Sequence, residues 1–162
     1  MFKQLCAVMM ACAILSGCAG KSGSELYGED GGWKDDVNIM DLKTTGLTDK
    51  LKATGYDVVY FKLDSSELNA EARANLAKQA VWLKDNPKAL IVVEGNCDER
   101  GTTEYNLALG EHRANAARNY LMSNGIEAKR IRTISYGKDK PAALGSTEEA
   151  WAKNRNAASV AY

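Results

Sequence analysis

The sequence predicts an α/β fold of the α+β type, a two-layer sandwich in which strands and helices alternate as β-α-β-α-β-α-β. Two observations predict it. From residue 56 to the C-terminus, short runs of β-branched, apolar and aromatic residues recur four times, with apolar residues at helical spacing between them. Of the 162 residues, 45% are hydrophobic and 26% are charged. This ordinary globular composition excludes a wholly disordered chain and a multi-span membrane protein.

Four strands are predicted where apolar side chains dominate a short run. The first, 57–61, is β-branched and aromatic, and the second, 89–93, is apolar throughout, which is typical of a central strand. The third, 131–135, alternates along its length, and the fourth, 157–161, is a weaker run. Helices between such strands cover one face of the sheet, so one layer of each kind is expected.

Three helices are predicted from their ends and their spacing. The first follows Asn69, a plausible N-cap, and stops at Asn86-Pro87, because the residue before a proline disfavours helical backbone. The third begins with a capping box at residues 146–149. The second ends at Asn124-Gly125, and its buried face is predicted to contain Leu107, Gly110, Ala114, Ala117 and Leu121.

The N-terminus has the features of a secretory signal. Lys3 precedes a short apolar run, which is too short to span a membrane comfortably because a spanning helix needs roughly 20 apolar residues. Residues 15–18, Leu-Ser-Gly-Cys, resemble the bacterial lipoprotein box, in which cleavage precedes the cysteine and Cys18 is then acylated. With Ala19 next, sorting to the outer membrane is expected. An ordinary signal peptide with a chance cysteine is the alternative.

The chain is therefore predicted to have three parts: a signal peptide (1–17), a lipidated N-terminus with a flexible tether (18–55), and a folded domain (56–162). Gly, Ser, Lys and Asp dominate the tether without a sustained period, although 42–51 could form a short helix. Cys97 is the single cysteine left after cleavage and acylation, so no intramolecular disulfide is expected.

The densest polar segment, residues 94–106, joins the second strand to the second helix, and ligands commonly bind at such strand ends. Asp98 lies just before the helix and Arg113 lies two turns inside it. Together they could offer a carboxylate to an ammonium and a guanidinium to a carboxylate, which suits a zwitterion. An Asp98–Arg113 salt bridge, or a loop and cap role for Asp98, are the alternatives.

The motifs then point to a family. Residues 94–102 (Glu-Gly-Asn-Cys-Asp-Glu-Arg-Gly-Thr), 104–106 (Glu-Tyr-Asn), 135–138 (Ser-Tyr-Gly-Lys) and 153–155 (Lys-Asn-Arg) resemble the OmpA-like peptidoglycan-binding domain over about 56–162. The resemblance implies a mixed four-stranded sheet and non-covalent binding of the diaminopimelate-containing stem peptide of peptidoglycan, with no cofactor and no metal. It assigns ligand-binding positions to Asp98, Arg113, Asn106, Leu109, Asp64, Leu63 and Arg155.

The lipoprotein box and the tether resemble those of the family's lipoproteins. This implies an outer-membrane protein whose domain lies in the periplasm and holds the membrane to the cell wall, supporting envelope integrity and constriction at division. The implied protein partners are TolB and, as a further candidate, TolA. Nucleic acid is not expected, because 21 basic and 21 acidic residues leave no net charge.

Several positions depart from the usual family pattern. Asn96 stands where many members have His, Cys97 where a small residue is usual, and Lys62 and Leu63 where Asp and Phe are frequent. Asn156 replaces the second arginine of an Asn-Arg-Arg element. The Asp98 and Arg113 pair is kept, so the departures bear on the rim charge and on partners.

Two other classes of function compete with a binding module. A peptidoglycan hydrolase would use Cys97 as nucleophile and His112, the single histidine, as base, or the carboxylates Asp98, Glu99 and Glu104 as acid and base. A small semi-buried thiol, a solvent-facing histidine and a solvated loop explain these residues better, so no enzyme is expected. A purely structural interaction domain is the remaining alternative.

Overall fold

The computed structural model describes residues 26, 28–34, 37–39 and 46–162. The predicted signal peptide, Cys18 and the start of the possible helix at 42–51 lie outside the described residues. No helix among the described residues is long and apolar enough to cross a membrane.

Helices and strands alternate as the sequence predicts, and the predicted fold class is confirmed. The elements are α1 (Gly46–Ala53), β1 (Val58–Tyr60), α2 (Ala70–Asp85), β2 (Ile91–Asn96), α3 (Thr103–Ser123), β3 (Ile131–Gly137), α4 (Glu148–Asn154) and β4 (Asn156–Ala161). A 3-10 turn at Ala128–Arg130 leads into β3.

The four strands form one mixed sheet in the order β1-β4-β2-β3. Strand β4 is antiparallel to both of its neighbours, whereas β2 and β3 are parallel. Gly95 of β2 pairs with Ala157 of β4, and Tyr60 of β1 pairs with Asn156. The ends of β1 and β2 therefore meet the beginning of β4 at one edge of the sheet, which brings three loops together.

The helix ends follow from local hydrogen bonds. The Asn69 side chain accepts from the Ala72 backbone N–H at 2.7 Å, which confirms it as the N-cap of α2. Thr102 caps α3 in the same way. The capping box predicted at residues 146–149 is wrong by one position: Thr147 is the N-cap, and Ala150 occupies the place where a capping box has Glu.

Helices α2 and α3 cover one face of the sheet with a continuous apolar core. Its largest fully buried members include Leu76, Leu83, Ile91, Val93 and Leu121. Of the face predicted for α3, Gly110, Ala114, Ala117 and Leu121 are buried, whereas Leu107 is exposed near the loop edge. Burial of this face fixes the rotation of α3, and with it the direction of the side chains that reach the strand ends.

The opposite face of the sheet is covered in part by residues of the predicted tether. Leu26, Trp33 and Val37 are buried in a second apolar cluster, against side chains of β2 and β4 and against Tyr162. The Trp33 indole N–H donates to the Arg130 carbonyl oxygen at 3.2 Å. We call Leu26 and residues 28–34 and 37–39 the N-terminal segment. This segment is thus docked on the domain rather than free.

Replacing Trp33 by alanine is expected to lower the free energy of unfolding by about 2 kcal/mol, because a buried indole and its hydrogen bond are lost at the periphery of the domain. Urea unfolding and limited proteolysis of the N-terminal segment measure the effect. Leu144→Ala is the control, since Leu144 is 89% exposed. Unchanged stability and unchanged cleavage in the Trp33 variant would mean that the segment does not dock.

Candidate functional site

A pocket of about 310 Å³ opens where the ends of β1 and β2 meet the beginning of β4 and the first turns of α3. All seven residues of the domain that the family resemblance assigns to ligand binding line it, together with four others. The lining residues are Leu63, Asp64, Cys97, Asp98, Arg100, Gly101, Tyr105, Asn106, Leu109, Arg113 and Arg155. Three guanidinium groups and two carboxylates thus share one cavity.

Asp98 is buried at the base of the loop after β2 and is held by two arginines. Its carboxylate accepts three hydrogen bonds from the Arg100 backbone N–H, Nε and Nη2, at 3.2, 3.1 and 2.6 Å, and one from Arg155 Nη1 at 3.3 Å. Burial raises the pKa of Asp98, but these hydrogen bonds outweigh it, so the pKa lies below its ordinary value. Asp98 is therefore ionised at neutral pH.

Arg113 is only 1% exposed and lies on the inner side of the pocket. Its Nε donates to the Ser65 carbonyl oxygen at 2.9 Å and its Nη2 to the Lys62 carbonyl oxygen at 3.2 Å. Its Nη1 donates to the Asn96 carbonyl oxygen at 2.8 Å and contacts Cys97 Sγ at 3.3 Å. The guanidinium thus joins the loop after β1 to the end of β2.

Among the described residues no ion pair joins Asp98 to Arg113, because each group is engaged elsewhere. The salt bridge considered from the sequence is therefore not formed. Burial lowers the pKa of Arg113, although Cys97 and Asp98 oppose that shift. A guanidinium retains its proton in proteins, so the pocket holds a buried cation and a buried anion on different walls.

Asn106 holds the loop after β2 in place, and a close contact between backbones holds β2 against α3. The Asn106 amide donates to the carbonyl oxygens of Arg100 and Thr102, at 2.8 and 3.0 Å. Gly95 of β2 lies so close to Gly110 of α3 that a Cβ on Gly95 would overlap the Gly110 carbonyl oxygen. This approach seats the first half of α3, with Leu109 and Arg113, directly over the end of β2.

The outer rim of the pocket consists of Leu63, Asp64 and Tyr105. Leu63 and Tyr105 are exposed, and the Tyr105 hydroxyl donates to the Asp64 carboxylate. Asp64 has a positive φ of 55°, a conformation that aspartate tolerates better than most residues. The loop after β1 is thereby turned toward the first turn of α3.

Arg100 and Tyr105 are pocket residues that the sequence prediction did not include. Arg100 reaches back to Asp98 and also lies 4.1 Å from the Trp151 ring centre. The sequence could have indicated Arg100 through its position two residues after Asp98, because a side chain at that spacing can fold back onto a loop carboxylate. Tyr105 is an aromatic residue in the first turn of α3, which is also the rim of the pocket.

Asn96 and Asn156, two of the residues that depart from the family pattern, are in contact. The Asn96 amide donates to Asn156 Oδ1 at 2.9 Å, and both side chains are buried. The uncharged pair replaces the His and Arg that are usual at these positions, so both changes belong to one contact. Lys62 contributes its carbonyl oxygen to Arg113, and Leu63 remains an apolar rim residue.

Among the residues that the structure describes, no hydrogen bond joins Cys97 and His112, the thiol and the base considered for a hydrolase. Cys97 Sγ is buried and contacts the Asn106 carbonyl oxygen and Arg113, while His112 is exposed on α3. Burial raises the pKa of Cys97; Arg113 opposes this shift and Asp98 adds to it. A protonated thiol without a neighbouring base is a poor nucleophile.

Cys97→Thr is expected to leave the fold and ligand binding unchanged, because a hydroxyl can also donate to the Asn106 carbonyl oxygen and accept from Arg113. Cys97→Val, which has similar size but no such group, is expected to destabilise the fold by about 1 kcal/mol. Thermal unfolding of both variants and thiol alkylation of the wild type at pH 7 measure this. Rapid alkylation, or loss of binding in a folded Thr variant, would contradict it.

The mixed sheet, its helical layer and the pocket at the strand ends define an OmpA-type α+β domain. Residues 60–155 match the OmpA family, and the chain belongs to that family. Its relatives include proteins named peptidoglycan-associated lipoprotein. The one from Mesorhizobium japonicum is 40% identical over 149 residues, which are 92% of this chain and 86% of the relative. The one from Brucella melitensis is 45% identical over 117 residues, 72% and 70% of the two chains.

Solved structures agree with this assignment. The crystal structure of the peptidoglycan-associated lipoprotein from Burkholderia pseudomallei is 44% identical, with a TM-score of 0.63 over 65% of this chain and 90% of that one. The C-terminal domain of Helicobacter pylori MotB, at 22% identity and a TM-score of 0.62, covers 65% of this chain and 84% of its own, and it shares the fold. The resemblance noted from the motifs is thus confirmed.

Proposed function

We propose that this protein is an outer-membrane lipoprotein that binds the diaminopimelate-containing stem peptide of peptidoglycan and tethers the membrane to the cell wall. It would act within a Tol-Pal system and support envelope integrity and constriction at division. The observation that carries the proposal is the pocket, which gathers all seven family ligand positions of the domain and offers an anion and a cation on different walls. The names of the relatives support the same conclusion.

The ligand end that fits is the free centre of diaminopimelate, which carries both an ammonium and a carboxylate. Asp98 receives the ammonium in exchange for Arg100, whose planar group keeps its place beside Trp151 and reaches toward Glu148, 4.0 Å away. The exchange replaces one cation by another at the same carboxylate, so Asp98 stays paired throughout.

The carboxylate of the ligand is received by Arg113. Four of its interactions go to protein groups, so one Nη2 N–H is left without an acceptor among the described residues. Arg113 therefore makes a single charge-assisted contact rather than the two-pronged one expected from its chemistry alone. The N-terminus of α3, which begins at Thr103, adds a positive pole beside the loop.

Calorimetry with a diaminopimelate muropeptide tests the proposal. A matched peptide with lysine in place of diaminopimelate keeps the ammonium but lacks the carboxylate, and it is expected to bind more weakly. Equal affinity for the two peptides would refute the assignment of the carboxylate to Arg113. Binding should also weaken with added salt, because charged contacts at the rim are screened.

Anchoring rests on Cys18. Burial of acyl chains contributes about 0.8 kcal/mol per methylene, and more than one chain makes the anchor stable. Cys18→Ser is therefore expected to abolish incorporation of radiolabelled palmitate and to release the protein from outer-membrane fractions. Palmitate on the Ser variant would contradict this. Affinity capture of TolB and TolA by the wild-type protein, with and without added muropeptide, tests the proposed partners.

A further inference from the structure

A second groove lies on the face of the sheet that the N-terminal segment covers only in part, and Ile39 of that segment lines one end of the groove. It consists of two depressions of about 370 Å³ each, which share Val58, Glu94, Lys140 and Ala158. Tyr60 stands on one side, and the loop at Pro141 stands on the other. We call these two joined depressions the outer groove. Its members are not among the ligand positions assigned to the pocket around Asp98.

The floor of the outer groove is polar but carries little net charge. Asn96 and Asn156 pair with each other there, and Glu94 is neutralised by Lys140 at 2.6 Å. Asn96 is 5% exposed, and its Oδ1 is without a hydrogen-bond partner in the part of the chain that the structure describes. A buried acceptor without a partner is unfavourable, so a ligand that brings an N–H or O–H donor gains a hydrogen bond the free protein lacks.

Tyr60 adds an aromatic surface at the mouth of the groove. Its side chain is 51% exposed, and Lys153 lies among the same lining residues. An exposed ring beside amide and carboxylate groups suits a ligand with an apolar face and several donors and acceptors. An anionic ligand would find Lys140 already paired, and an apolar helix would leave the Asn96 oxygen unsatisfied.

We propose that the outer groove binds an N-acetylated glycan, specifically the sugar strand of the polymer whose stem peptide occupies the pocket around Asp98. The acetamido N–H supplies the donor for Asn96 Oδ1, and the sugar ring lies against Tyr60. Because that oxygen is shielded in the free protein, a side chain at the rim moves aside when the sugar enters. This inference rests on the proposed function.

The position of the groove supports the same polymer as the source of the ligand. Successive residues of a strand face opposite sides of a sheet. Asn96 lines the outer groove and Cys97 the peptide pocket, and Asn156 lines the groove and Arg155 the pocket. The two cavities therefore lie back to back at one sheet edge, so a domain lodged in a peptidoglycan mesh presents both to it.

Titration of the full-length lipoprotein in detergent with the neutral, peptide-free tetrasaccharide of N-acetylglucosamine tests the proposal. Cellotetraose, which lacks acetamido groups, is the control ligand. Tyr60→Ala should weaken tetrasaccharide binding about tenfold or more, while its affinity for the stem peptide stays unchanged. Val81→Ala, an exposed apolar residue on α2, is the control variant. In NMR spectra, the tetrasaccharide should shift the side-chain amide signals of Asn96 and Asn156.

Three results would overturn the proposal: no binding of the tetrasaccharide, equal binding of cellotetraose, or equal loss in the Tyr60 and Val81 variants. A protein partner captured on the groove in place of the sugar would also overturn it. Failure of the proposed function is recognised separately, because the stem peptide would then not bind the wild-type protein, whatever the tetrasaccharide does.

Discussion

Replacing Arg113 by alanine is expected to lower the free energy of unfolding by about 3–5 kcal/mol and to abolish stem-peptide binding. The fully buried guanidinium holds the carbonyl oxygens of Lys62, Ser65 and Asn96. Without it, carbonyl oxygens in the loop after β1 and at the end of β2 lose their donor, and that loop loses its connection to β2. The same substitution removes the proposed partner of the ligand carboxylate.

Arg113→Lys separates the two effects. Lysine keeps the charge but has no fork, so it cannot bridge the loop after β1 and the end of β2, and an intermediate loss of stability is expected. Urea unfolding gives the stability, and co-sedimentation with purified peptidoglycan sacculi gives the binding. His112→Ala is the matched control, since His112 is the exposed neighbour on the same helix. A stable Arg113→Ala protein that still sediments with sacculi would remove Arg113 from ligand binding.

The elements of the domain could be predicted because each is encoded within a short stretch of chain. Asn69 and Asn86-Pro87 bracket α2, and Asn124-Gly125 follows α3, all through local backbone preferences. Strand order is different in kind, since it depends on contacts between distant residues. The central place of β4, which is the last strand and has the weakest apolar pattern, left no local signal.

The N-terminal segment shows how composition misleads. Glycine and polar residues outnumber the apolar residues there, and Gly28, Gly31 and Gly32 lie between Leu26 and Trp33. They are buried because they find an uncovered apolar face of the sheet, with the Arg132 guanidinium donating to the carbonyl oxygens of Lys34 and Val37 at 2.6 Å each. Such docking depends on the match between two surfaces, so it cannot be predicted from the pattern of residues along one segment alone.

The ligand pair could be named from the sequence and five further lining residues from the family resemblance, but the hydrogen-bond partners of these residues could not be predicted. Asp98 and Arg113 follow from their charge and their positions on either side of a helix start. The roles of Arg100 and Arg155 depend on where two loops and the beginning of β4 meet. The partners of Arg113 are backbone carbonyl groups, which every residue has, so no residue type marks them in advance.

The charge of Asp98 is expected to decide ammonium recognition. Asp98→Asn keeps the size of the side chain but removes the charge, so affinity for the diaminopimelate muropeptide should fall roughly thirtyfold or more. The lysine peptide should lose affinity by a similar factor, because it has the same ammonium. Substitutions of Arg113, in contrast, should lower mainly the affinity for the diaminopimelate peptide. Glu99→Gln is the matched control, being an exposed carboxylate next to Asp98.

The pH dependence follows from the lowered pKa of Asp98. A carboxyl whose folded pKa lies below its unfolded value of about 4 contributes stability that is fully present above that value and is lost as pH falls through the folded pKa. Binding should therefore be nearly constant from pH 5 to 8 and decline below pH 4, as Asp98 loses its charge. Calorimetry across pH 3 to 8 measures this, with circular dichroism to confirm that the protein stays folded. In Asp98→Asn that acidic decline should be absent, and an unchanged decline in the variant would assign the titration to another group and remove Asp98 from ammonium recognition.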